Sequence, residues 1–181
     1  MPTPSVTASA AAPQPAVVVI SLLGITVEDD AGATVESATF DDEQAMLALV
    51  TELEGSEPTL TDLSGKGLTL YDWPGLRLGI QFNSSWLLSE QADLGGLPLR
   101  TEEGIGVGSS RADVAALNPF DYGADADGDG VSDGFGLDPQ TVPDTESLSL
   151  PGQVGTAFIG VGLQGDTVTT LRSPSGDYLD I

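Results

Sequence analysis

Apolar and polar residues alternate along several separate stretches of this chain, and those stretches predict most of its strands. Leu76, Leu78, Ile80 and Phe82 alternate with polar or glycine neighbours without a break, the pattern of a half-buried strand. Leu68 and Leu70 alternate just before Asp72-Trp73-Pro74-Gly75, a turn sequence. Val17–Val27 is rich in β-branched residues and reads as a strand. Asp29-Asp30-Ala31-Gly32 then turns the chain, and Thr34–Thr39 is expected to pair back as a hairpin. Further strands are expected at Trp86–Ser89, Leu97–Thr101, Gly155–Gly162 and Thr167–Arg172, the last two joined at Gln164-Gly165-Asp166.

Two stretches change period from two to 3.6. Met46, Leu49, Val50 and Leu53 fall at i, i+3, i+4 and i+7, one apolar helix face. Asp41 is the expected cap, with Gln44 at the reciprocal position; Gly55 ends the helix and Pro58 prevents its resumption. A second, shorter helix is expected before Leu117. Ser110 and Asp113 form its capping box and Pro119 closes it. The order β-β-α-β-β-β-α-loop-β-β predicts an α+β fold, an antiparallel β-sheet with two helices packed against it. Residues 1–16, rich in Pro, Ala, Ser and Thr and free of charged side chains, read as a flexible linker; residues 17–181 read as a single domain.

Charge narrows the list of partners. The chain carries 28 acidic residues against five basic ones, a formal net charge of −23. Nucleic acid is excluded as a partner because phosphate binding needs a basic surface, and an anionic membrane surface is disfavoured on the same ground. Cations or basic proteins are the natural electrostatic partners. There is no Cys and no His. Disulfides, Cys nucleophiles, Ser-His-Asp triads and the usual zinc sites are therefore excluded. Any enzyme built on this chain would rely on Asp, Glu, Tyr or the single lysine, Lys66.

The acids are densest in DADGDGVSDG, residues 125–134. Asp125, Asp127, Asp129, Gly130 and Asp133 fit D-x-D-x-D-G-x-x-D, the first nine positions of an EF-hand-type calcium loop. Alternate carboxylates would converge on one centre, Gly130 would permit the sharp turn, and the Val131 carbonyl would supply the seventh-position oxygen. The twelfth position, a bidentate Glu in the full motif, is Gly136; Asp138 or Asp121 are the available substitutes. No strong helix flanks the loop, so the expectation is a structural Ca2+ clip rather than a helix-loop-helix sensor. The alternative is a solvated Asp/Gly turn cluster.

Other motifs carry less. GIGVGSS (104–110) places its third glycine wrongly for a dinucleotide fingerprint, and Glu102 and Glu103 stand where pyrophosphate would sit, so it reads as strand-turn-helix packing. Ser64-Gly65-Lys66 reads as a surface turn. Trp73, Trp86, Tyr71 and Phe82 either pack the sheet or line a sugar or peptide groove. Asn83-Ser84-Ser85 is a formal glycosylation sequon. With 28 acids, carboxylate pairs for glycoside hydrolysis are easily drawn and have no specificity.

The Pro/Ala/Ser/Thr linker, together with GITVEDDAGATVESATFDD, YDWPGLRLGI, GIGVGSSRADVAAL and DADGDGVSDGFGL, resembles secreted actinobacterial lipoproteins of unknown function. That resemblance implies a signal segment before the linker and a lipid anchor at its start. Gly104–Leu117 alone is similar to the strand-turn-helix units of the secreted β-lactamase inhibitor protein and of a small lipoprotein of the outer-membrane assembly machinery, both α+β binding modules.

Together these readings predict a non-catalytic, secreted or cell-surface domain. It would bind a protein or a cell-envelope component and carry no transmembrane segment. The rival is a carboxylate-based hydrolase acting on envelope polysaccharide.

Overall fold

A computed structural model of the chain describes residues 13–81, 84–122, 125 and 128–180. Its strands are β1 (Pro15–Ile20), β2 (Gly24–Asp29), β3 (Thr34–Thr39), β4 (Thr59–Leu63), β5 (Leu68–Trp73), β6 (Leu76–Gln81), β7 (Ser84–Ser89), β8 (Asp93–Leu94), β9 (Leu97–Thr101), β10 (Phe120–Asp121), β11 (Gly134–Thr141), β12 (Thr145–Glu146), β13 (Thr156–Gln164), β14 (Thr167–Asp177) and β15 (Leu179–Asp180). The helices are α1 (Glu43–Glu54) and α2 (Arg111–Ala116). The strands form a five-stranded sheet of order β3-β2-β1-β9-β8, an eight-stranded sheet of order β10-β11-β13-β14-β7-β6-β5-β4, and the small pair β12-β15. The fold is a β-sandwich, which overturns the expected α+β arrangement of two helices on one sheet.

The physical reason lies in strands that hide their period. Val17–Val27 breaks at Ser21-Leu22-Leu23 and folds back, so one expected strand becomes the hairpin β1–β2, with Val18 opposite Val27 and Ile20 opposite Ile25. β1 begins at Pro15, inside the stretch read as linker. Gly24 is required there, because a side chain on it would meet the Ala38 carbonyl oxygen at 2.0 Å. β1 lies between β2 and β9, which pair both its edges, and Val17, Val18, Val19 and Ile20 on its two faces are all buried, so its valines do not alternate with polar residues. β11 (GFGLDPQT) has glycines at two of its first three positions and no apolar alternation across its length; its pairing to β13 makes it a strand.

One core joins the two sheets. Ile20 and Val27 of the smaller sheet cluster with Leu78, Leu87, Val161 and Leu171 of the larger one, and Met46 and Val50 of α1 complete the cluster. Burial of each such side chain contributes about 1.5–3 kcal/mol before chain entropy is subtracted. α1 packs against β3, β7 and β8. Asp42, one residue after the expected cap, accepts the Ala45 N–H at 3.0 Å, and Gly55 closes the helix at φ 64°. The Ser173 hydroxyl donates to the Ser21 carbonyl at 2.7 Å, tying β14 to the β1–β2 turn of the other sheet.

Candidate functional site: a glycine-floored groove and the acidic loop

The eight-stranded sheet has one face on the core and one face open. In β13 (TAFIGVGLQ), Ile159, Val161 and Leu163 point into the core, so Phe158, Gly160 and Gly162 point outward. Register carries this pattern across the sheet. Gly136 of β11 lies opposite Gly160, and Gly134 opposite Gly162. On the other side of β13, Arg172 lies opposite Gly160 and Thr170 opposite Gly162. Next comes β7, where Leu88 faces Arg172, and then β6, where Gly79 faces Trp86. The result is a shallow trough along a row of glycines that neighbouring side chains cover.

The glycines are there because larger side chains lie flat across them. A Cβ on Gly79 would meet the Trp86 ring at 2.2 Å, and one on Gly136 would meet the Phe158 ring at 2.8 Å. Phe120 and Tyr122 cover Phe158, with ring centroids at 5.6 and 5.4 Å. The Arg172 guanidinium sits over the Trp86 ring, 4.6 Å from its centroid. A cavity of about 410 Å3 runs along the trough, with Tyr122, Phe158, Gly160, Gly162, Arg172 and the hydroxyls of Ser149, Thr170 and Ser175 on its walls.

Arg172 is the unusual member. Among the described residues the ion pairs are Arg77–Asp72, Arg111–Asp133 and Arg111–Asp166, and no carboxylate lies within 4 Å of the Arg172 guanidinium. Its residue is open to solvent, yet the surrounding sheet face desolvates the guanidinium enough to lower its pKa, opposed by the Tyr122 phenol. Burial raises the pKa of Tyr122, with Arg172 opposing, so its hydroxyl stays protonated at neutral pH. Asp177, at the end of the trough, accepts from the hydroxyls of Ser147 and Ser149, both at 2.6 Å, and from the Ser149 N–H at 2.9 Å. Burial pulls its pKa up, but these hydrogen bonds outweigh it and hold the carboxyl below its usual value.

The acidic loop leaves the trough at Tyr122 and returns at Gly134. Asp125 is its hub, accepting the Gly128 N–H at 2.7 Å and the Gly130 N–H at 3.1 Å. Gly130 takes φ 85°, the left-handed turn expected of it. The Asp129 carboxylate accepts the Val131 N–H at 2.7 Å, and the Asp121 carboxylate accepts from Ser132. Asp127 lies outside the described residues. Asp133 is 4% exposed and pairs with Arg111, at 2.7 Å. No group of three or more acidic side chains placed to hold a metal ion is found among the described residues, which do not include Asp127. Asp133 stands at position nine of the motif, which usually reaches the ion through water.

Arg111 is the residue that pattern reading passed over. From the first position of α2 it donates to the Ser132 and Gly165 carbonyls as well as to Asp133, and it lies over the Phe135 ring. It therefore locks the end of the acidic loop to the β13–β14 turn. The aromatic group splits. Trp73 is buried, its indole N–H donating to the Ser56 carbonyl at 2.8 Å, and Tyr71 packs on the core. Trp86 lies beneath Arg172 at the side of the trough; Phe82 and Asn83 lie outside the described residues. Gly104–Gly108 forms the expected loop between β9 and α2, and the capping box of Ser110 and Asp113 is present. Lys66 lies exposed in a short turn after β4.

Compared with known family models, curated proteins and solved structures, the chain matches none. No helix among the described residues is long and apolar enough to cross a membrane.

Proposed function

We propose that the chain is a non-catalytic binding domain working outside the cytoplasm, and that the open face of its eight-stranded sheet holds the ligand. The supporting observation is Arg172: an exposed cation with no carboxylate within 4 Å among the described residues, stacked on Trp86, in a glycine-floored trough beside Tyr122 and Phe158. The rival hydrolase needs a carboxyl with a raised pKa as general acid. The carboxyl in this trough, Asp177, is shifted the other way. Trp73→Phe leaves Trp86 as the single tryptophan, so its fluorescence reports the trough. Neutral and acidic envelope oligosaccharides are expected to change that emission, and Tyr122→Ala to weaken the change. If no oligosaccharide or peptide of the panel alters the Trp86 signal, the trough is not the binding surface.

The acidic loop adds a second reading, a weak calcium clip built on Asp125, Asp127, Asp129 and the Val131 carbonyl. What favours it is the loop already wrapped around Asp125, with Gly130 in the left-handed conformation the sixth position needs. Because the loop departs from Tyr122, an ion there would steady one wall of the trough.

A further inference from the structure

We infer that the trough recognises a single carboxylate carried on a neutral sugar ring, a uronic acid residue of an oligosaccharide. This rests on the trough being the binding surface. The anion comes from Arg172, whose planar fork matches a carboxylate with two parallel hydrogen bonds and whose guanidinium has no acidic partner within 4 Å among the described residues. Stacking on Trp86 fixes the fork without using its outward N–H groups. The ring comes from the floor. Gly160 and Gly162 lie opposite Arg172 and Thr170, and the hydroxyls of Ser175 and Thr170 lie over them where a Cβ would stand, so a ring seated here rests on hydroxyls it can hydrogen-bond. The hydroxyls come from Tyr122, Thr170 and Ser175 on the same walls, groups that donate and accept in turn, as sugar hydroxyls do.

The overall charge selects among anions. A surface with net charge −23 repels a polyphosphate or a densely sulfated chain, whose many charges outweigh one arginine. One carboxylate per binding footprint keeps the attraction to Arg172 while adding little repulsion. An acidic peptide fits less well: the trough offers hydroxyls and ring faces, and β13 along its middle is paired on both sides.

The experiment measures binding of an oligosaccharide carrying one glucuronate residue, and of its carboxyl-reduced counterpart, by Trp86 emission in the Trp73→Phe protein. The acid is expected to bind about tenfold more tightly than the reduced sugar, and Arg172→Gln to erase that difference. Circular dichroism melts check that the variant is folded. The comparison of the two sugars on the unmutated arginine needs no variant and tests the inference alone. Equal affinity for both sugars overturns the carboxylate but leaves the trough as a sugar site. Binding of neither sugar overturns both this inference and the trough reading. A short acidic peptide that binds more tightly than the glucuronate sugar also overturns the inference.

Discussion

Arg111 and Asp133 form an ion pair that closes the acidic loop, with Nη2 2.7 Å from Oδ1 and the Asp133 side chain 4% exposed. The same guanidinium donates to the carbonyls of Ser132 and Gly165, so one side chain joins α2, the start of β11 and the β13–β14 turn. Removing Arg111 leaves a buried carboxylate without its counter-charge, which costs about 3–5 kcal/mol when a buried pair is broken. Arg111→Ala is therefore expected to lower the unfolding free energy by about 3 kcal/mol in urea. Arg111→Met/Asp133→Leu, which removes both charges, is expected to recover most of that loss. A single variant as stable as the parent would show that the pair does not hold the loop.

Calcium addresses the other half of the loop. With dissociation constants near 0.1–1 mM, as in extracellular modules, calcium at ten times that value adds about 1.4 kcal/mol. For a chain of this size the melting temperature is expected to rise by roughly 3–6 °C at constant ionic strength. Asp125→Asn/Asp129→Asn should abolish the rise. Parallel behaviour of parent and variant would make the cluster a solvated turn.

The parts of this fold that were legible in the sequence are those stabilised locally. α1 carries its apolar stripe and its glycine stop, α2 carries its capping box, and the β5–β6 hairpin has both alternation and a Pro-Gly turn. What was missed depends on distant partners. β4 and β11 have no apolar alternation of their own, and the Val17–Val27 run gives no sign of where it folds back. The fold-back of that run, with β3, β8 and β9, makes the second sheet of the sandwich, and β4 and β11 extend the first. The acidic loop was legible as a motif, but the turn of Asp133 toward Arg111 was not, because twenty-two positions separate the two. The trough had one faint signal: Phe158, Gly160 and Gly162 fall on alternate positions between core residues. Arg172 becomes meaningful only once the sheet places it over Trp86.

The glycines of the trough lead to a ranking. A methyl group on Gly24 would meet the backbone at Ala38, with the carbonyl oxygen at 2.0 Å, and backbone cannot step aside. A methyl on Gly79 would meet the Trp86 ring at 2.2 Å, and that side chain lies on the open face, where it can swing away. Overpacking of this kind costs about 1–3 kcal/mol or more. Gly24→Ala is expected to destabilise at or beyond the upper end of that range and Gly79→Ala near the lower end. Gly79→Ala should also shift Trp86 emission to longer wavelength as the ring leaves the sheet and Arg172. Equal destabilisation by the two would contradict the placement of Trp86 on the open face.

Asp177 links the trough to pH. Its carboxyl is slightly desolvated, which raises its pKa, but the Ser147 and Ser149 hydrogen bonds prevail and the folded value is lowered. A carboxyl whose pKa is lower folded than unfolded contributes stability that is present above the unfolded value and lost as pH falls through the folded one. The group lies near the surface, so solvent screening keeps the contribution small. The cleaner readout is the titration itself. In carbon-detected NMR, the Asp177 carboxyl is expected to titrate below the ordinary Asp range of about 3.9 in the parent, and to move toward that range in Ser147→Ala/Ser149→Ala. The double variant should lose less stability than the parent on acidification from pH 6 to pH 3, because its folded and unfolded values lie closer together. An unchanged titration midpoint in the variant would mean that the two serines do not hold the carboxylate, and that the end wall of the trough is set by something else.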